Sequence, residues 1–137
     1  TQSSSLHVAV EGNLVIPSDK PPAEFISDIQ IDIVILEQKI KPGNTNQANV
    51  VTNVSDLQLF ISGVVKFQMQ YTAPAPDTGL HSVCFDVHFD DSMGLVDYPT
   101  AEETIVIKPV IEKAFFKQLD IRNIYKALLI RLDAAYA

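Results

Sequence analysis

Alternation of apolar and other side chains with a period of two constrains this chain more than any other feature of its sequence. The alternation is clearest over residues 65–71 and 83–89, where every second residue is Val, Phe, Met or Tyr. A period of two places these side chains on one face of an extended strand. The two segments therefore predict β-strands that each bury one face. Residues 72–80, with two prolines and a glycine between them, predict the loop of an antiparallel hairpin.

Shorter stretches of the same pattern predict further strands on both sides of the hairpin. Residues 29–35 have isoleucine at every second position, and β-branched side chains favour strands. Residues 50–54 and 57–65 also have strand character, and Gly63 predicts a bulge or a close backbone approach. In residues 104–112 the apolar positions share one face, and Pro109 places this strand at an edge or a bend.

The last stretch of the chain, residues 120–136, fits two periodicities. Its apolar residues match a helical stripe, for which Asp120 is a suitable N-cap. They also alternate as in a strand, with only Lys126 breaking the pattern. The pattern alone slightly favours a helix. At the start of this segment Asp120, Arg122 and Asn123 lie close in sequence, which predicts a structural bond between the arginine and a carboxylate.

Several short strands, each with one apolar face, must bury those faces against one another within a single domain. We therefore predict an all-β fold, an antiparallel two-sheet β-sandwich of the jelly-roll or immunoglobulin-like kind, with a closed barrel as the alternative. The 137 residues correspond to one domain. We assign residues 23–137 to this sandwich and residues 1–22 to an extended N-terminal arm with a Pro-rich linker.

The arm has two possible partners. Its apolar residues alternate or form a short run, and residues 17–22 contain three prolines, which makes a stiff tether. The arm could pair with its own sheet, because strands that follow one another in sequence are usually neighbours. Alternatively, it could complete the sheet of the next subunit by donating a strand. In the second case the interface residues are Leu6, Val8, Val10, Leu14 and Ile16.

The composition argues against several classes of partner. The net charge is -7, from 10 basic and 17 acidic residues, which disfavours binding to nucleic acids and to anionic membranes. The apolar runs are too short to span a bilayer. Hydrophobic residues nevertheless make up 47% of the chain and charged residues only 20%. We therefore expect part of the apolar surface to be covered by another protein subunit.

No segment of the sequence predicts a catalytic, cofactor or metal site. Cys84, Asp86, His88 and Asp90 share one face of a predicted strand, and imidazole with carboxylates suits zinc. A polar face turned to solvent explains the same pattern, and we prefer that interpretation. The chain lacks the glycine-rich and His-Glu motifs of nucleotide and zinc enzymes. Cys84 is the only cysteine, which leaves an intermolecular disulfide as its one possible bridge.

Three segments in a fixed order carry a resemblance to a known family. The first is Leu-Phe-Ile-Ser-Gly-Val-Val-Lys-Phe-Gln-Met-Gln-Tyr at residues 59–71, and after a Pro-rich loop comes His-Ser-Val-Cys-Phe-Asp-Val-His-Phe at residues 81–89. Ile-Glu at 111–112 and Leu-Asp-Ile-Arg at 119–122 follow. From about residue 29 onwards the chain resembles the SPOCS domain of spore coat and spore-associated proteins in endospore-forming Firmicutes.

The resemblance implies a β-rich domain without catalytic residues, and it implies that a strand begins at Arg122, which decides our prediction for the last segment. Larger members of the family contain several such domains, whereas this chain has one copy and an added arm. We therefore expect a non-enzymatic structural protein that assembles with itself into a fibre or layer on the spore surface. Other spore coat proteins are expected as further partners. The alternative is a monomeric adaptor that docks a coat or cell-wall protein through a sheet edge.

Overall fold

The computed structural model describes residues 2–42, 57–95 and 105–136, which form six β-strands and no helix. The strands are β1 (Gln2–Val15), β2 (Phe25–Pro42), β3 (Leu57–Thr72), β4 (Leu80–Gly94), β5 (Val106–Gln118) and β6 (Asn123–Tyr136). The predicted all-β fold is confirmed, and so is the choice of a strand for the last segment. The strand predicted at residues 50–54 lies outside the described residues.

The strands form two antiparallel sheets of three strands each, in the orders β1-β6-β5 and β2-β3-β4. We call these sheet A and sheet B. The predicted hairpin is β3 and β4, in which Val65 lies opposite Val87. No hydrogen-bonded ladder joins the two sheets among the described strands, so the architecture is the predicted two-sheet sandwich rather than a closed barrel.

The alternating pattern explains how the sheets pack. In β3 every second side chain from Leu57 to Tyr71 is buried, and β6 alternates in the same way from Ile124 to Tyr136. These are the central strands of the two sheets, so their inner faces form the middle of the hydrophobic core. Burial of apolar area of this kind is the main favourable contribution to folding.

Gly63 lies where two strands and a phenylalanine ring come together. It is opposite Phe89 in β4 and Ile35 in β2, and β2 has a bulge immediately after Ile35. A Cβ atom added at Gly63 would lie 2.7 Å from Cε1 of Phe89 and 3.0 Å from the carbonyl oxygen of Val34. Of the two alternatives predicted at Gly63, the close backbone approach is confirmed by the Val34 carbonyl, whereas the bulge lies in the facing strand β2 and not in β3. Only a residue without a side chain fits this position.

Lys126 is the residue that interrupts the alternation of β6, and it is turned into the core with only 3% of its surface exposed. It lies opposite Gly12 in β1, and a Cβ atom at Gly12 would be 3.5 Å from the lysine Nζ. The Nζ also lies 6.0 Å from the centre of the Phe67 ring, at the outer limit of a cation–π contact. Burial lowers the pKa of Lys126 because it disfavours the charged form.

Candidate functional site

The N-terminal arm pairs with its own sheet along its whole length. In the antiparallel ladder of β1 and β6, Gln2 lies opposite Tyr136 and Val15 lies opposite Asn123. Of the five residues predicted to form the arm interface, four are buried and Leu6 is half-buried: Leu6, Val8, Val10, Leu14 and Ile16. The structure thus brings all five to the inner face of sheet A. The boundary predicted after residue 22 separates segments that share one core.

β1 is nevertheless an edge strand, because β6 is its only hydrogen-bonded neighbour among the described strands. Polar contacts on the outer face of sheet A also hold it. The Ser5 hydroxyl donates to Asp133 (2.8 Å), and His7 lies 2.6 Å from Glu112 of β5. Arg131 connects the two acids, at 2.9 Å from Asp133 and 3.8 Å from Glu112. Hydrogen bonds from Ser5 and Arg131 hold the pKa of Asp133 below its usual value.

Arg122 fixes the tether between β1 and β2. Its Nη1 atom donates to the carbonyl oxygens of Pro17 (2.7 Å), Lys20 (2.9 Å) and Ile16 (3.4 Å). The prediction that this guanidinium bonds a carboxylate is wrong, because the turn of the tether presents it with backbone carbonyls instead. Guanidinium groups suit such a site since they donate several hydrogen bonds in fixed directions.

Asp120 holds the turn that carries Arg122. One carboxylate oxygen of Asp120 accepts hydrogen bonds from the backbone amides of Arg122 and Asn123, both at 2.8 Å. The side-chain amide of Asn123 donates to both carboxylate oxygens at 3.0 Å. Hydrogen bonds to the charged form, led by that from the Arg122 amide, lower the pKa of Asp120. Asp120 therefore positions Arg122 through the backbone, and the two residues share a structural role.

Two more side chains anchor the far end of the tether. The Tyr71 hydroxyl donates to the carbonyl oxygen of Pro21 (2.7 Å), and the Gln118 amide donates to that of Ala23 (3.0 Å). Burial raises the pKa of Tyr71. The tether therefore contacts β3, the end of β5 and the turn before β6. Moving β1 to another subunit requires these contacts to be broken or rebuilt around a different path of the tether.

The four polar residues considered as a metal site lie together on the outer face of β4, as the alternation predicted: Cys84, Asp86, His88 and Asp90. Asp86 lies 3.7 Å from Lys66, and Asp90 accepts a hydrogen bond from Ser62. Within the described parts of the chain, no group of three or more His, Cys, Asp or Glu side chains could hold a metal ion. Cys84 is exposed, and its intermolecular disulfide stays a prediction.

The side of the sandwich formed by β2 and β5 is a second candidate surface, which we call the open side. Both are outer strands of their sheets, whereas on the opposite side β1 and β4 lie in contact. Most of the exposed large hydrophobic residues lie in β2, in β5 or directly after the end of β5: Phe25, Leu36, Val106, Ile111, Phe115 and Leu119. An apolar groove between the strands is lined by Ile26, Ile29 and Phe116.

Sequence reasoning identified only part of the open side. Pro109 correctly placed β5 at an edge, but no pattern indicated that β2 lies at the neighbouring edge. A usable signal was present in the charges, since β2 has acidic residues at regular spacing and β5 has lysines. Its meaning depends on knowing which two strands are neighbours.

No protein-family model, curated protein or solved structure matches this chain. Among the residues that the structure describes, there is also no helix of the length and apolarity needed to cross a membrane.

Proposed function

We propose that this protein is a non-enzymatic structural subunit that assembles with itself into a fibre or layer by donating β1 to a neighbouring copy. The observation that carries the proposal is the position of β1. It supplies an inner face of the core, yet among the described strands it pairs only with β6, and a Pro-rich tether joins it to the rest of the chain. A strand with these properties is exchangeable between identical subunits.

Donation preserves the contacts that β1 makes in the single chain. A neighbour's β1 would pair with β6 in the same register, and its Val10 and Leu14 would fill the same places in the core. Exchange between identical subunits therefore costs little in contacts. The balance between the closed and the donated form is then set by protein concentration and by the tether contacts of Arg122 and Tyr71. If the exchange does not close on itself, it produces a fibre.

The resemblance to the SPOCS domain is the basis for proposing the spore surface as the place of assembly. The absence of catalytic motifs in the sequence supports a structural role. Exposed Cys84 is suited to cross-link neighbouring subunits under oxidising conditions. Other coat proteins are possible further partners in this proposal.

A second candidate function is an adaptor that docks one coat or cell-wall protein by adding a strand to a sheet edge. The edges of β2 and β5 favour it, since both carry exposed apolar side chains. The adaptor predicts a chain that stays monomeric at high concentration and binds one partner to saturation.

A reversible lock on β1 tests the proposal. Ala9 and Leu129 are opposite one another on the outer face of sheet A, where a disulfide between them would tie β1 to β6. The test protein is the full chain with Ala9→Cys, Leu129→Cys and Cys84→Ser, oxidised when dilute and monomeric. We expect negative-stain electron microscopy to show no fibres or layers of the oxidised protein at high concentration, and fibres or layers after the disulfide is reduced.

Each other outcome contradicts part of the proposal. Fibres or layers in both states would show that they grow without exchange of β1. Single particles in both states, with the Cys84→Ser chain alone also failing to assemble, would contradict self-assembly and favour the adaptor.

A further inference from the structure

The two strands of the open side run in opposite directions. β2 begins beside the start of β6, because the Ala23 amide donates to the Ile121 carbonyl (2.7 Å). β2 and β6 therefore run the same way, and β5 is antiparallel to β6. Gln38 of β2 also donates to the Ile105 carbonyl before β5 (2.9 Å), and Gln118 at the end of β5 reaches Ala23 before β2. The two edges are thus side by side, antiparallel and at matching heights.

Charged side chains on the two edges have opposite signs and the same spacing. β2 carries three acids on its outer face: Asp28, Asp32 and Glu37. β5 carries three lysines on its outer face: Lys108, Lys113 and Lys117. Because β5 runs opposite to β2, its lysines are met in the order Lys117, Lys113 and Lys108 when β2 is followed from its start. The intervals between successive charges are then four residues and five residues on both strands.

Each strand has a bulge inside its five-residue interval, and β2 has a second bulge before Asp28, outside the span of the three acids. β2 shifts register between Ile35 and Glu37, and β5 shifts between Ile111 and Lys113. A bulge adds one residue without adding length, so both long intervals correspond to four ladder positions. If β2 of one chain pairs with β5 of another, all three acid–lysine pairs lie directly opposite, on the same face of the joined sheet. The apolar residues Ile29 and Phe116 then also share a position on the inner face.

We propose that the open side binds the open side of a second copy of this chain, with β2 of each copy beside β5 of the other. The inference rests on the proposed function and adds a second contact between subunits, separate from the exchange of β1. Because β2 and β5 are antiparallel within one chain, a two-fold axis parallel to the strands produces both pairings at once. The result is a pair of continuous six-stranded sheets that covers the apolar groove of both copies.

The charges also select this pairing over others. Two β5 edges would bring lysines opposite lysines, and two β2 edges would bring acids opposite acids, and both arrangements are unfavourable. Lysines, bulges and Pro109 also protect edge strands from indiscriminate pairing. Protection of an edge strand does not require its charges to match the spacing of charges on another strand. A specific contact between β2 and β5 does require that match. Asp28, Asp32, Lys113 and Lys117 form no salt bridge within the described parts of the chain, so they are available to a partner.

The test uses the oxidised chain with Ala9→Cys, Leu129→Cys and Cys84→Ser, called the locked chain, because its disulfide prevents exchange of β1. Its size is measured by light scattering after gel filtration. We expect a dimer. Lys113→Glu and Asp32→Lys, each placed alone in the locked chain, put like charges opposite one another at two symmetry-related positions. Each is expected to weaken the dimer by about tenfold to a hundredfold in Kd. The double variant D32K/K113E reverses both charges and is expected to restore the dimer.

Lys20→Glu is the matched control, because it makes the same charge change in the tether, where the Lys20 Nζ donates to the Ser82 carbonyl of β4 (3.3 Å), on the side of the sandwich opposite the open side. It should leave the dimer unchanged. The inference would be overturned if the locked chain is monomeric at all concentrations. It would also be overturned if neither single charge reversal changes the Kd of the dimer. If the open-side contact fails in this way but the unlocked chain still forms fibres, the proposed function stands without the open-side contact. If the locked dimer responds to charge but the unlocked chain grows no further, β1 donation fails and the open-side contact stands.

Discussion

Replacing Leu14 with Ala is expected to lower the free energy of unfolding by about 2–5 kcal/mol, the range for removing a large buried aliphatic side chain. Leu14 is 3% exposed and lies in the hydrophobic core, opposite Ile124 of β6. Truncation there leaves a cavity between the sheets that the neighbouring strands fill only in part. Equilibrium unfolding in urea, followed by circular dichroism, measures the change.

Val15→Ala is the matched control for this substitution. Val15 is the next residue of the same strand, but it points outward and is 54% exposed. Its truncation should change the free energy of unfolding by no more than about 0.5 kcal/mol. Equal effects of the two substitutions would mean that the inner face of β1 is not part of the core. The description of β1 as a strand that completes the sandwich would then be wrong.

Gly63→Ala should destabilise the protein by about 1–3 kcal/mol, the usual cost of forcing extra volume into a packed core. The new Cβ would lie within 2.7 Å of the Phe89 ring, and the Val34 carbonyl oxygen at 3.0 Å blocks the other direction. Phe89 is buried, so its ring has to move at the expense of its neighbours. The same urea titration gives the size of the effect.

Two comparisons make the result at Gly63 specific. Gly94→Ala adds the same methyl group where only the flexible Gln58 side chain lies nearby, at 3.8 Å, and should have little effect. Phe89→Leu removes ring atoms that clash, so Gly63→Ala should cost less in the Phe89→Leu chain than in the natural one. Independent, additive effects of Gly63→Ala and Phe89→Leu would contradict the contact.

The parts of the fold that were predictable from sequence are those in which one local signal dominates. The β3–β4 hairpin follows from two regular alternations around a loop rich in proline and glycine. The strand β6 was ambiguous because its apolar residues fit both periods. Its conformation is set by the strands on either side, β1 and β5, which supply its backbone partners. Such long-range pairing overrides local preference.

The details of the tether and the open side were less predictable. Arg122 contacts the carbonyls of Pro17 and Lys20, which lie at the other end of the chain, and backbone carbonyls carry no sequence signal. Similarly, the acids of β2 and the lysines of β5 acquire meaning only when the sheet order makes the two strands neighbours. β2 itself extends well beyond the predicted residues 29–35, because pairing with β3 continues where the alternation ends.

Disulfide formation after assembly tests the donation of β1 most directly. The chain with Ala9→Cys, Leu129→Cys and Cys84→Ser is assembled under reducing conditions, oxidised, and separated on a non-reducing denaturing gel. Chains with only one of the two new cysteines are the control, since they cannot form a continuous covalent series. Donation predicts a ladder of covalent oligomers, because each β1 is bonded to the β6 of another chain. A single monomer band from the same assemblies would show that every β1 stays with its own chain, and would contradict the proposal.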